Sequence, residues 1–129
     1  MKPYKHEDNI NKRIYISGKM RGLERLKMEG GFKRAFNELV VKYGCHPDNI
    51  ISPVILDRMF PCFEEEEFME LDLFLIRKMK VEAIYLMANW PTSEGAKKEK
   101  ALAEELGLEI WEQPESGKGK RTINLSTSV

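Results

Sequence analysis

Two carboxylates, Asp72 and Glu99, stand at helical spacing from apolar residues. In the segment Glu64 to Lys80 the apolar face reads Phe68, Leu71, Leu75 and Met79, and Asp72 falls four residues after Phe68, on or beside that face. In the next helical segment Leu102, Ala103 and Leu106 form the inner stripe, and Glu99 sits three and four residues before the first two. A buried carboxylate is costly unless it is paired or hydrogen-bonded, so two of them on successive helices point to a site. A rotation of the helices by one position would instead leave both acids at the solvent rim, and spacing alone leaves both arrangements open. Position along the helix favours Glu99. It follows a helix start near Ser93 by about two turns, at the carboxyl end of a strand, where crevices form and the helix dipole helps keep an acid ionised. An ionised, partly desolvated carboxylate is a nucleophile, and a second acid held protonated by an apolar setting is a general acid. Glycosidic bond cleavage uses such a pair.

A second group of residues suits an anion. Ser17-Gly18-Lys19-Met20-Arg21-Gly22 follows a strand-like run and carries two glycines, two cations and exposed amides, which suits a phosphate but equally suits a solvated turn. It matches neither the GxGxxG dinucleotide pattern nor a P-loop, and Gly117-Lys118-Gly119-Lys120-Arg121-Thr122 lacks the P-loop glycine spacing. Cys45-His46 and the distant Cys62 have no metal-ligand spacing and read as ordinary core or surface residues, and glycosidic cleavage by a carboxylate pair calls for neither a metal nor an organic cofactor. Trp90 and Trp111 read as packing residues, with Trp90 beside Pro91 also placed to wall a crevice.

The elements that must position these groups follow from periodicity and punctuation. Lys12 to Gly18 is a β-branched and aromatic run stopped by glycine, a strand. Phe32, Phe36, Leu39, Val40 and Tyr43 predict a helix over about Arg25 to Tyr43, its start delayed by Gly30-Gly31, with Gly44 as stop. Asn49 to Ser52 is a short strand ended by Pro53, and Val54 to Phe63 is a loop whose Ile55, Leu56, Met59 and Phe60 are placed to cover a ligand. Glu64 to Lys80 has acids at its start and Arg77, Lys78 and Lys80 at its end, which matches the helix dipole in both directions. Val81 to Met87 is apolar enough to be a central strand covered on both faces. Thr92 or Ser93 caps a helix ending at Leu106 before Gly107, and Leu108 to Trp111 is the next strand. Alternation of this kind predicts an α/β fold, a three-layer open parallel sheet of four to five strands, flavodoxin- or Rossmann-like, with its ligand crevice at the carboxyl ends of the strands.

Composition bounds the function classes. The chain has 129 residues, 42% hydrophobic and 33% charged, a globular balance sized for one domain. Its boundaries are read as a polar leader 1–11, the domain 12–113 and a Gly/Lys/Ser/Thr-rich tail 114–129. With 21 basic against 21 acidic residues there is no overall field to draw in nucleic acid or anionic lipid, and neither partner is expected. No apolar run reaches the roughly 18 residues of a membrane span, the start lacks a signal-peptide stretch, and two cysteines do not make a disulfide scaffold. A cytoplasmic location is expected.

The residues Tyr15 to Gly22, Asp72-Leu73, Ala83 to Leu86 and Trp90 to Glu99, with Ser93, Gly95 and Ala96 inside the last, resemble the nucleoside 2-deoxyribosyltransferase superfamily over about residues 12 to 112. Within it the chain resembles a small phage and bacterial branch and the 2'-deoxynucleoside 5'-phosphate N-hydrolases. The resemblance implies that Glu99 attacks C1' of the deoxyribose, that Tyr15 orients it and that Asp72 protonates the departing base, with Glu70 as the fallback for Asp72. It also implies that Ile123-Asn124-Leu125 belongs to a segment that completes a neighbouring subunit's site, so that Asn124 contacts substrate in a homodimer or higher oligomer. Ser93 stands where the transferases have an aspartate, as in the phosphate hydrolases. A hydroxyl at a helix N-terminus, with Gly95 and with Ser17, Gly18, Lys19 and Arg21 opposite, fits a 5'-phosphate. The expected activity is cleavage of the N-glycosidic bond of a 2'-deoxynucleoside or its 5'-monophosphate, by hydrolysis or by transfer to another base. A nucleotide-binding module without turnover and an interaction protein with surface acids are the other readings.

Overall fold

The run Ile14-Tyr15-Ile16-Ser17 lies at the centre of the protein with all four residues buried, because it is covered on both faces and paired on both edges. The computed structural model describes residues 9–114. Their element order is β1 (Ile14–Ser17), α1 (Arg25–Val41), β2 (Ile50–Ile51), α2 (Val54–Met59), α3 (Glu65–Lys78), β3 (Ala83–Leu86), α4 (Glu94–Leu106) and β4 (Glu109–Glu112). Residues 1–8 of the leader and the tail beyond residue 114, Asn124 included, lie outside the described residues.

The four strands form one parallel sheet in the order β2-β1-β3-β4, with Ile14 opposite both Ile50 and Ala83, and Ala83 opposite Glu109. Side chains alternate across it. Ile14, Ile16, Ala83, Tyr85 and Trp111 pack with Met28, Phe32, Ala35 and Leu39 of α1, whereas Tyr15, Ile84 and Leu86 pack with Ile76 of α3 and Leu102 and Ala103 of α4. The chain steps one way from β1 to β2 and the other way through β3 to β4, and the covering helices change face accordingly, as a constant crossover hand requires. The three-layer, open parallel α/β architecture is therefore flavodoxin- or Rossmann-like. Its topological switch point lies between the carboxyl ends of β1 and β3.

Local chemistry explains the element ends. Ser93 caps α4 by accepting from the Ala96 amide at 3.0 Å, and Gly107 closes that helix in the left-handed region at φ 75°. In α3 the Glu67 carboxylate accepts from the Glu64 amide at 2.7 Å, with Glu65 to Glu67 in its first turn and Arg77 and Lys78 in its last. Four details differ from the expectation. Gly30 and Gly31 do not delay α1, which runs through both; Gly31 faces Met87, whose Cε would stand 3.2 Å from an added Cβ. The expected loop after β2 contains the short helix α2, none of whose residues is buried. The buried line of α3 is Asp72 and Ile76, with Leu75 only partly covered and Met79 exposed. That of α4 is Ala96, Glu99, Leu102 and Ala103, with Leu106 exposed.

Candidate active site

Two strand residues two apart share a face, so Tyr15 and Ser17 both project from β1 toward α4. Glu99 projects back from α4 and meets both. The Tyr15 hydroxyl donates to its Oε2 at 2.8 Å and the Ser17 hydroxyl donates to its Oε1 at 2.5 Å. Tyr15 and Ser17 are fully buried and Glu99 is 4% exposed. Asp72, 8% exposed, enters the same space from α3 and interacts with Glu99 and Tyr15, while its Oδ1 meets no donor among the described residues. The fallback Glu70 is exposed on the outer side of α3.

Burial raises both acids. It lifts Asp72 to about 7 and Glu99 to about 8, and the negative charge of Asp72 adds to the rise at Glu99. The two act as one titrating unit that holds a single proton over part of the neutral range. Hydrogen bonding decides where that proton sits. Glu99 accepts two hydroxyl bonds, which favour its carboxylate, whereas Asp72 has an oxygen without a donor and is the better place for the proton. Burial and the two nearby acids push the Tyr15 phenol well above its usual range, so it stays a donor.

A cavity of about 440 Å³ opens onto this pair at the switch point. The β1 loop contributes Gly18, Lys19, Met20 and Arg21, the start of α4 contributes Ser93, Gly95 and Lys98, and Asp72 and Glu99 form part of its wall. Gly18 sits so close to β3 that a Cβ would overlap Sδ and Cβ of Met87. Arg21 lies over the Phe68 ring at 5.4 Å and 3.8 Å from Glu65. The structure thus brings together nine of the expected site residues: Tyr15, Ser17, Gly18, Lys19, Arg21, Asp72, Ser93, Gly95 and Glu99. Ser17 is buried behind Glu99 and holds the carboxylate, so its placement is that of a positioning group rather than a cavity wall.

Sequence reasoning missed other lining residues. Pro53 and Asp57 reach the cavity from the α2 segment, and Phe68, Met69 and Thr92 from α3 and the β3 loop. Ile55 and Met59, expected to cover a ligand, are instead more than half exposed. Trp90 does not line the cavity; it packs against the core beside α4. A signal for Asp57 was present in its place one helical turn from Pro53, but only a helix there would have made it readable. The thiol of Cys45 is buried and pushed up to about 11, and no group of three metal-ligating side chains occurs among the described residues.

The family described as Domain of unknown function (DUF4406) matches residues 12–112. The chain belongs to the DUF4406 family. The matched span runs from the start of β1 through β4, so every residue of the Tyr15, Ser17, Asp72 and Glu99 cluster lies within the DUF4406 domain. No curated protein and no solved structure matches the chain.

Proposed function

We propose that the protein cleaves the N-glycosidic bond of 2'-deoxynucleosides or their 5'-monophosphates, with Glu99 as nucleophile. The observation that supports this reading is the carboxylate pair in the switch-point cavity, one acid held by two buried hydroxyls and the other able to carry a proton. The resemblance of Tyr15, Asp72 and Glu99 to nucleoside 2-deoxyribosyltransferase residues supports the same roles. A Glu99 oxygen attacks C1', the bond from C1' to the base nitrogen breaks, and its electron pair leaves on the base. Asp72 gives the base its proton. Asp72, now a carboxylate, takes a proton from water or from an incoming base as that group attacks C1' and releases Glu99. Tyr15 and Ser17 keep the nucleophile ionised and aimed. Lys19, Arg21, Ser93 and the amides at the start of α4 suit a 5'-phosphate, which makes the monophosphate the preferred substrate. The reading includes a homodimer in which Asn124 completes the neighbour's site.

The test is chromatography for free base after incubation with each 2'-deoxynucleoside and its 5'-monophosphate, with and without a second base, beside Glu99→Ala. Base release that Glu99→Ala abolishes supports the proposal, and a new nucleoside in the presence of acceptor makes it a transferase. No release by folded wild type with nucleotide still bound would replace it with a binding module of the same fold.

A further inference from the structure

One residue outside the carboxylate cluster, through its side chain and its main-chain carbonyl, connects the two walls of the cavity. The ladder between β1 and β3 continues one step past the strands, where the Met87 amide donates to the Ser17 carbonyl at 2.8 Å. Beyond that the β1 chain turns away as the loop carrying Lys19 and Arg21. The Lys19 amide is then met by a side chain in place of a backbone carbonyl: it donates to Oδ1 of Asn89 at 3.1 Å. The main-chain carbonyl of the same Asn89 accepts from the Thr92 amide at 3.1 Å and the Thr92 hydroxyl at 2.9 Å. Thr92 lines the cavity and precedes Ser93, the cap of α4. Asn89 therefore ties the cationic loop to the turn that launches α4. The overlap of Gly18 with Met87 that any side chain would create shows how closely the same loop is drawn onto the end of β3.

We propose that Asn89 is a positioning residue that sets the spacing between the β1 loop and the start of α4, and through it the preference for a substrate bearing a 5'-phosphate. This rests on the function proposed above. An anion bridging Lys19 or Arg21 and the α4 N-terminus meets both walls only at one separation, and Asn89 is the group bonded to both walls. It touches neither Glu99 nor Asp72 in any hydrogen bond of the site, so its loss acts on phosphate recognition and not on the chemical step.

The experiment compares wild type with Asn89→Ala and Asn89→Ser, both too short to reach the Lys19 amide. Two readouts are taken: kcat and KM for a 2'-deoxynucleoside and its 5'-monophosphate, and hydrogen exchange of the Lys19 amide. The expected result is at least a tenfold fall in the ratio of kcat/KM for monophosphate over nucleoside. It should come through KM, with kcat within about threefold and Lys19 exchange at least tenfold faster. Asn89→Asp, which keeps an acceptor, should restore slow exchange. An unchanged ratio in folded variants, or Lys19 exchange that does not respond, would overturn the role of Asn89 while leaving the function standing. If wild type releases no base from either compound, the function fails, and titration with inorganic phosphate then reads the role of Asn89 alone: weaker binding in the variants supports it and equal binding overturns it.

Discussion

Removing the charge of Glu99 should stabilise the protein at alkaline pH and leave it almost unchanged in acid. Burial raises Glu99 from 4.5 to about 8 and Asp72 from 3.8 to about 7, so the folded protein holds more protons than the unfolded chain between about pH 4 and 8. For acids raised by folding, the stability is fully present below the unfolded values and is lost as pH climbs through the folded ones. At about 1.4 kcal/mol per tenfold change in a proton equilibrium, the rise at Glu99 corresponds to roughly 5 kcal/mol at pH 9. Part of that rise is the charge of Asp72, so a share is common to the two acids and the sum of both would count it twice. Glutamine fits the site, since the hydroxyls of Tyr15 and Ser17 can each donate or accept. For a domain of this size about 4 °C accompanies each kcal/mol. Thermal unfolding followed by circular dichroism from pH 5 to 9 should show wild-type Tm falling with pH. Glu99→Gln should follow a much flatter line, about 10 to 15 °C above wild type at pH 9 and close to it at pH 5. Parallel curves for the two proteins would mean that Glu99 ionises as freely folded as unfolded and carries no such cost.

Further predictions follow from the same contacts. Tyr15→Phe removes one of two hydroxyl donors to a buried carboxylate, a bond of about 1.5–3 kcal/mol, and should slow base release about 10- to 100-fold in steady-state assays while the protein stays folded. The rate should peak where the pair holds one proton, between about 7 and about 8: below it Glu99 is protonated and cannot attack, above it Asp72 has no proton to give. Asp72→Asn should slow the reaction and remove the alkaline fall, as read from a pH–rate profile. Gly18→Ala forces a Cβ into Met87 and should cost about 1–3 kcal/mol in denaturant unfolding, whereas Gly30→Ala, inside α1 with open space around its Cα, should gain about 0.5–1 kcal/mol.

The alternation of strands and long helices and the central place of β3 were readable because β1 and β2 are short apolar runs ended by glycine or proline, α3 has acids in its first turn and Arg77 and Lys78 in its last, and α4 runs from Ser93 to Gly107. The short α2 escaped because six residues with none buried leave no apolar stripe to read. The phase of α3 was displaced for a more instructive reason. The apolar pattern follows Phe68, Leu71, Leu75 and Met79, yet the inward line runs through Asp72 and Ile76, and a carboxylate at the centre of the buried face pulls an apolar count away from the true one. Misfit between pattern and phase is thus itself a mark of the site. Spacing within α4 pointed Glu99 inward, but the bonds from Tyr15 and Ser17 depend on how β1 and α4 align in space, which no local pattern encodes. Asn89 gave no signal either, since its role is to meet an amide seventy residues away in sequence.

The most direct test of Glu99 as a covalent nucleophile is intact-mass and peptide mass spectrometry. Wild type is quenched during reaction with a 2'-fluoro-substituted nucleoside 5'-monophosphate, whose fluorine slows breakdown of a glycosyl ester. With Glu99 as nucleophile, a stoichiometric sugar-phosphate adduct forms on the peptide containing Glu99, with free base released in equal amount and neither seen in Glu99→Gln. Base release without an adduct, or an adduct on any other residue, would contradict that role.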